Sequence, residues 1–194
     1  MIVVKLGGSL FGTPELNAWM QILADYSKQT PIVIVPGGGP FADQVRLADA
    51  HYKLKNKTAH QMALLAMKQF GLLLADIEPK AKLIINTNEE VTSPLSIWLP
   101  DDSLIQNASL DHSWSVTSDS IALWLASKLT AQSLLLIKRT HTDTASINNL
   151  IQNHIIDSAF SNMFTRHQVD TKIFHYQDFG RFDTFSQQPS LYLP

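Results

Sequence analysis

Residues 3–9 read Val-Val-Lys-Leu-Gly-Gly-Ser, and residues 32–39 read Ile-Val-Ile-Val-Pro-Gly-Gly-Gly. In both stretches a short apolar run rich in β-branched side chains ends at glycines, and a segment with a helical pattern follows. A strand that turns through glycines into a helix leaves backbone N–H groups pointing at one spot, and such a spot binds phosphate. The two stretches therefore predict two halves of one polyphosphate site, with Lys5 beside it as a fixed positive charge.

The order of apolar patterns along the chain predicts an α/β fold. We expect strands at residues 2–6, 32–35, 82–85, 95–99, 134–137 and 172–176. We expect helices at residues 14–27, 40–52, 59–76, 118–129 and 156–164. Apolar strands between helices indicate a parallel sheet covered on both faces. The expected architecture is therefore a three-layer αβα sandwich with a mainly parallel central sheet.

The composition excludes several classes of protein. A formal net charge of −2 argues against a broad nucleic-acid-binding surface. The absence of cysteine excludes disulfides, thiolate catalysis and zinc–thiolate sites. The 7 histidines lack metal-ligand spacing, so we interpret them as surface or satisfied core residues and predict no metal site. No stretch has the length of a membrane span or the pattern of a secretory signal, so we expect a cytoplasmic protein without a membrane partner.

Two lysines follow apolar strands directly. Lys5 ends the first strand, at the edge of the sheet where open α/β folds bind ligands. A lysine there needs an anion or a carboxylate as a partner, unless its chain reaches out to solvent, and both interpretations stay open. Lys138, with Arg139 next to it, follows residues 134–137 in the same way. The alternative for this pair is a solvated loop.

Small polar residues lead into a later amphipathic helix. Residues 114–122 read Trp-Ser-Val-Thr-Ser-Asp-Ser-Ile-Ala, which places Thr117, Ser118 and Asp119 at the start of that helix. Spacing alone favours a structural interpretation, in which Ser118 or Asp119 caps the first turn. A functional interpretation places these side chains beside the glycine loops.

Arg46 is a candidate for holding a second substrate. It lies seven residues beyond Gly39, on the helix that follows the second glycine loop. A guanidinium in that place suits a phosphate or a carboxylate. The alternative is a surface ion pair with Asp43 or Asp49.

These motifs together resemble the amino acid kinase family, whose members open on a strand ending in K-x-G-G. A second glycine loop and an aspartate before a later helix complete that pattern. Lys5-Leu6-Gly7-Gly8, Gly37-Gly38-Gly39 and Asp119 match it in order. The resemblance implies ATP and Mg²⁺ as cofactors, Lys5 on the transferred phosphoryl group, Lys138 on the leaving phosphate, and Asp119 orienting both lysines. The residues expected to bind the phosphates of ATP are Gly7, Gly8, Ser9, Gly37, Gly38 and Gly39. Our candidates for acceptor binding are Arg46, Thr117 and Ser118.

The resemblance also implies how the chain is organised. We expect one kinase domain over residues 1–194, with an acceptor and phosphate-transfer half up to about residue 110. Residues from about 111 to 194 would form a shortened nucleotide-binding half. Apolar helical faces and the habit of the family favour a homo-oligomer. The expected partners are ATP and a small phosphorylated acceptor.

Residues 36–46, 59–63 and 114–122 are most similar to the branch of this family that serves methanofuran biosynthesis. The implied reaction moves the γ-phosphoryl of ATP to the phosphate of (5-(aminomethyl)furan-3-yl)methyl phosphate, giving the diphosphate. No glycine occurs between Gly71 and Gly180, in the half that normally builds the adenine pocket. Two alternatives therefore stay open. One is another amino acid or uridylate-type kinase, and the other is a non-catalytic protein that binds nucleotides or oxyanions.

Overall fold

Six parallel strands form one sheet in the order β3-β4-β2-β1-β5-β6. The structure is a computed structural model, and it describes residues 1–87, 91–101, 104 and 111–193. The strands are β1 (Ile2–Leu6), β2 (Ile32–Pro36), β3 (Lys82–Ile84), β4 (Leu95–Trp98), β5 (Ser133–Lys138) and β6 (Asp170–His175). The helices are α1 (Pro14–Tyr26), α2 (Gly39–Tyr52), α3 (Asn56–Ile77), α4 (Ser118–Lys128), α5 (Ile147–Gln152) and α6 (Phe160–His167).

Helices cover both faces of this sheet. Every residue of β1 and β2 is buried, as the continuous apolar runs predict. Val3 and Leu134 contribute to one apolar core, which contains residues of α4, α5 and α6. Val4 and Leu135 contribute to the other, with α1 and the second half of α3. The predicted three-layer αβα architecture is therefore confirmed, and all strand pairs in the described residues are parallel.

The register of the sheet brings the two glycine loops and Lys138 close together. Leu6 pairs with Pro36 on one side and with Ile137 on the other. The carboxyl ends of β1, β2 and β5 therefore lie side by side, and both glycine loops and Lys138 follow them. The order of strands also reverses beside β1, which is the place where open α/β sheets form a ligand crevice.

The predicted helix at residues 156–164 is wrong in its position. The structure has α5 at Ile147–Gln152 and α6 only from Phe160. Between them His154 takes a left-handed φ of 55°, and the amide of Ile155 returns to the carbonyl of Leu150 at 2.8 Å. A left-handed residue ends a helix, so the apolar residues of this segment pack as an irregular loop.

A 3₁₀ segment at Asp178–Gln187 is absent from the sequence prediction. Its Phe182 is fully buried, with ring centroids 5.6 Å from Trp19 and 5.1 Å from Tyr26. The segment therefore packs against α1. None of the helices in the described part of the chain is long and apolar enough to cross a membrane. The division predicted near residue 110 falls outside the described residues.

Candidate active site

Asp119 joins two lysines at the carboxyl ends of β1 and β5. Its Oδ1 lies 2.9 Å from Nζ of Lys5, and its Oδ2 accepts a 2.5 Å hydrogen bond from Nζ of Lys138. The three side chains are 6%, 5% and 12% exposed for Lys5, Asp119 and Lys138 respectively. Two cations and one anion leave a net positive charge, so the group attracts an anion such as phosphate. The structure thus brings together the three residues that the sequence predicts as catalytic.

The environment shifts the pKa values within this group. Burial alone would raise the pKa of Asp119, but the ammonium groups of Lys138 and Lys5 lower it to about 2. Burial lowers the pKa of Lys138 to about 8, and Lys5 adds to this effect, although Asp119 acts in the opposite direction. Asp119 is therefore a fixed anion at neutral pH, whereas Lys138 titrates close to the physiological range.

The two glycine loops touch each other through their backbones. A Cβ added to Gly8 would lie 2.1 Å from the amide nitrogen of Gly39, and one added to Gly37 would lie 2.3 Å from that of Gly8. Gly39 also has a φ of +55°, which L residues rarely adopt. These contacts leave no room for a side chain at either Gly8 or Gly37.

The amide groups of the loops fall into two sets. The N–H of Gly7 donates to the carbonyl of Ile137 at 3.2 Å, and that of Gly37 donates to Leu6 at 2.8 Å. Both amides therefore extend the sheet and are not available to a phosphate, which corrects the binding role predicted for Gly7 and Gly37.

The cavity-lining glycines are Gly8, Gly38 and Gly39. Their amides donate to no backbone carbonyl among the described residues. Ser9 is exposed in a 3₁₀ turn and lies outside the lining of the cavity, against the prediction that it binds phosphate. Among the six predicted residues, Gly8, Gly38 and Gly39 therefore stay candidates for binding phosphate.

An open cavity of about 580 Å³ lies in front of these groups. Lys5, Asp119 and Lys138 line it together with the three glycines that have unused amides. Residues 154–158 also line the cavity, and they lie in the half of the chain that the resemblance assigns to nucleotide binding. Amide donors and ammonium groups that line one cavity fit a chain of phosphates.

Asp157 holds the start of α4 in place. Its Oδ2 accepts hydrogen bonds from the amide of Thr117 at 2.9 Å and from the amide of Ser120 at 3.1 Å. The hydroxyl of Thr117 donates to the same oxygen at 2.8 Å, and the hydroxyl of Ser120 donates to the other. A carboxylate from a distant loop thus caps α4, so the alternative prediction that Ser118 or Asp119 caps it is wrong. Burial, together with the nearby Asp119, raises the pKa of Asp157.

Thr117 and Ser118 both line the cavity, as their candidate role in acceptor binding requires. The Thr117 hydroxyl, however, donates its hydrogen bond to Asp157, so it can only accept a hydrogen bond from a ligand. The sequence does not identify Asp157, because nothing near it in the chain marks a helix cap for residues about 40 positions away.

Arg46 forms the predicted surface ion pair and also lines the cavity, so both interpretations of its sequence position apply. Its guanidinium pairs with Asp43 at 2.7 Å and lies 5.0 Å from the ring centroid of Trp114. Asp49, the other candidate partner, instead accepts a 2.7 Å hydrogen bond from the indole of Trp114. Arg46 also lines the cavity at its rim, where about half of its side chain is exposed. It is therefore placed to meet a ligand that enters the cavity.

A narrow side pocket opens beside the main cavity and shares Gly38, Arg46, Thr117 and Ser118 with it. Its inner wall is mostly apolar and includes Leu64, Met67, Val116, Ile121 and His60. His60 is 5% exposed, and its Nε2 has no hydrogen-bond partner among the described residues. The sequence interpretation of the histidines as surface or satisfied core residues is therefore wrong for His60, and also for His112, whose Nε2 likewise has no partner among the described residues.

The described residues contain no group of three or more histidine or carboxylate side chains that could hold a metal ion. Both oxygens of Asp119 face lysines, so this carboxylate is not free to bind Mg²⁺. The donor set fits phosphates directly. A magnesium ion would therefore be held by phosphate oxygens and water, which is a common arrangement for this ion.

Comparisons with known proteins place this sequence and its fold. Residues 1–142 match the model of the amino acid kinase family. Over 141 residues the chain is 32% identical to the [5-(aminomethyl)furan-3-yl]methyl phosphate kinase of Methanocaldococcus jannaschii, covering 70% of this chain and 64% of that relative's length.

Two solved structures share the fold. The uridylate kinase of Archaeoglobus fulgidus aligns with a TM-score of 0.72 at 15% identity over 97% of both chains. The UMP kinase of Ureaplasma parvum aligns with a TM-score of 0.63 at 15% identity, over 97% of this chain and 95% of its own.

Proposed function

The chain belongs to the amino acid kinase family, and from that premise we propose that it moves the γ-phosphoryl group of ATP to a phosphate on a small acceptor. The observation that carries this proposal is the Lys5–Asp119–Lys138 group, which faces the same cavity as the free amides of Gly8, Gly38 and Gly39. Phosphoryl transfer needs positioning and charge neutralisation more than covalent chemistry from the protein. This cavity supplies both.

In the proposed reaction an oxygen of the acceptor phosphate forms a bond to the γ-phosphorus of ATP, and the bond from that phosphorus to the β,γ-bridging oxygen breaks. Lys5 neutralises the charge of the phosphoryl group while it is transferred. Lys138 neutralises the β-phosphate of ADP, which is the leaving group. Asp119 is a positioning residue, because it holds both ammonium groups through its two oxygens. Magnesium bound to the ATP phosphates would supply further positive charge.

The proposed acceptor needs no general base. A phosphate monoester has a second pKa of about 6, so it is largely a dianion at neutral pH. The only carboxylates among the described cavity-lining residues are Asp43, Asp119 and Asp157. Asp43 pairs with Arg46, Asp119 pairs with two lysines and Asp157 caps α4. None is a free base, which favours a phosphate acceptor over an alcohol.

The proposed acceptor is (5-(aminomethyl)furan-3-yl)methyl phosphate. The relative that suggests it shares 32% identity with this chain over 141 residues. The narrow side pocket supports a small ring with few polar groups, because its inner wall is mostly apolar. UMP is the second candidate acceptor, since the uridylate kinases share the fold.

The test is release of ADP from ATP and Mg²⁺ by the purified protein with each acceptor in turn. We expect turnover with the furan phosphate to exceed turnover with UMP, and no turnover with glutamate. Faster turnover with UMP would contradict the proposed acceptor but not the proposed chemistry. Binding of ATP without ADP release for any acceptor would favour the non-catalytic alternative.

We also propose that the protein forms a homo-oligomer through α2 and α3. Leu47 on α2 is 63% exposed, and Leu65 and Leu72 on α3 are 52% and 48% exposed. Leu65 and Leu72 are seven residues apart and therefore share one face of α3, and an exposed contiguous apolar patch is typical of surfaces that associate. Light scattering of the wild type and of Leu65→Lys would test this proposal, because a monomeric wild type contradicts it.

A further inference from the structure

His60 is a buried polar side chain without a partner. It lies on α3 and is 5% exposed, and no described residue bonds to its Nε2. A buried nitrogen left without a hydrogen bond destabilises the folded state, and native structures usually provide it with a partner or a ligand. His60 lines the narrow side pocket, so a molecule bound there can form the missing hydrogen bond with Nε2.

The imidazole of His60 is uncharged at neutral pH. Burial lowers its pKa, and the neighbouring His112, whose ring centroid lies 5.3 Å away, lowers it further. A neutral imidazole has one nitrogen with a free lone pair and can accept a hydrogen bond there. His60 therefore differs from the cations of the main cavity, which attract phosphate.

The main cavity and the side pocket together would accommodate a molecule with a phosphate at one end and an organic group at the other. Gly38, Arg46, Thr117 and Ser118 line both of them. An acceptor with its phosphate next to Lys5 would therefore place its organic part between Trp114 and the apolar residues Leu64 and Met67. The described residues of the side pocket include no carboxylate, and its other neutral acceptors are the amide of Asn56 and the hydroxyls of Ser113, Thr117 and Ser118. Among these described residues His60 is the buried one whose side chain has an atom left without a hydrogen-bond partner.

We propose that Nε2 of His60 accepts a hydrogen bond from the amino group of the acceptor and thereby selects an aminomethyl-substituted ring. This inference rests on the proposed function, because it assumes that the acceptor is the furan phosphate. His60 is then an acceptor-binding residue, separate from the lysines that neutralise the phosphates. It does not line the main cavity, which we propose for the phosphates of ATP.

The test pairs a substitution in the protein with a deletion in the acceptor. His60→Phe keeps a flat ring of similar size but removes the nitrogen, and His60→Gln keeps a hydrogen-bonding group. The two acceptors are the furan phosphate and its analogue that lacks the aminomethyl group. The measured quantities are kcat/KM for each acceptor and KM for ATP. His167→Phe is the matched control, because His167 bonds to Ser127 Oγ at 2.8 Å and lines neither cavity.

For the wild type we expect the analogue to lose about tenfold in kcat/KM, which is the ordinary value of one hydrogen bond. For His60→Phe the two acceptors should differ by less than about twofold, with KM for ATP unchanged. His60→Gln should recover part of the preference, and His167→Phe should behave like the wild type. Thermal melting of each variant verifies that the fold is retained.

Two contrary results are distinguishable. If the furan phosphate is the acceptor but His60→Phe keeps the full tenfold preference, the inference is wrong and the proposed function stands. If the wild type uses UMP instead, or releases no ADP with any acceptor, the proposed acceptor is wrong and the role of His60 falls with it.

Discussion

Gly8 and Gly37 lie back to back, with the amide nitrogen of Gly8 only 2.3 Å from where a Cβ on Gly37 would be. Each glycine comes from a different strand end, so this contact fixes the distance between the two loops. A side chain at either position would push the loops apart. The contact therefore sets the spacing of the free amides of Gly8, Gly38 and Gly39, which the phosphates of ATP would use.

The first prediction follows from this contact. In Gly37→Ala the new methyl meets backbone atoms, which cannot move as a flexible side chain does, so we expect ATP affinity to fall by at least about tenfold. Gly180→Ala is the matched control, because a Cβ there meets nothing within 4 Å. Isothermal titration of both variants with a non-hydrolysable ATP analogue measures the effect. Equal affinity in the two variants would mean that the loops are not the ATP site.

Much of the fold could be predicted from the sequence because the central strands are continuous apolar runs that end at glycines. Residues 32–35 are all apolar, lie between helices and end at glycines, and β2 forms there with every residue buried. The helix prediction at residues 156–164 is wrong because Ile155 and Ile156 are buried in a loop, where apolar residues give the same pattern as a helix. Apolar spacing indicates burial, and burial does not distinguish a packed loop from a helix.

The candidate site divides in the same way. Lys5, Asp119 and Lys138 are selected by the resemblance to a family, since spacing alone leaves structural alternatives open for all three. The parallel sheet then brings them together. Asp157 and His60 could not be predicted, since their importance depends on contacts far along the chain. Asp157 caps α4 from 37 to 40 residues away. His60 looks like an ordinary helical residue until the pocket next to it is known.

The second prediction concerns Lys5. Lys5→Ala removes the ammonium that would neutralise the phosphoryl group in transit, and we expect turnover to fall by more than about 100-fold, as for other lost electrostatic contacts. Lys5→Arg should retain more activity than Lys5→Ala because it keeps the charge. Lys28→Ala is the control, since Lys28 is 74% exposed and pairs with Asp25 on the surface. Steady-state ADP release measures all three, and near-normal turnover in Lys5→Ala would refute the assigned role.

Asp157 leads to a third prediction. Asp157→Asn keeps the shape of the side chain but replaces one acceptor oxygen with a donor that faces amide and hydroxyl donors. We expect the free energy of unfolding to fall by about 1–2 kcal/mol, as for the loss of a helix cap. Turnover should fall as well, because α4 carries Asp119 between the two lysines. Urea unfolding and ADP release measure the two effects. Unchanged turnover in a destabilised variant would show that the cap serves stability alone.

The last prediction concerns the pH dependence of the reaction. As pH rises, the acceptor phosphate becomes a dianion near pH 6, so kcat/KM should rise there. Lys138 has its pKa lowered to about 8 and must be charged to neutralise the leaving phosphate, so kcat/KM should fall as pH passes that value. The expected plot of kcat/KM against pH is bell-shaped, with its rising limb centred near pH 6 and its falling limb near pH 8.

Lys138→Arg separates this explanation from unfolding. Arginine keeps its charge at all accessible pH, so the falling limb should move beyond the measured range even if the absolute rate is lower. The folded protein binds fewer protons at Lys138 than the unfolded chain between about pH 8 and the ordinary lysine value of 10.5. The contribution of this group to the free energy of unfolding therefore rises with pH across that window, so its titration cannot cause an alkaline loss of structure. An unchanged falling limb in Lys138→Arg would assign that limb to another group.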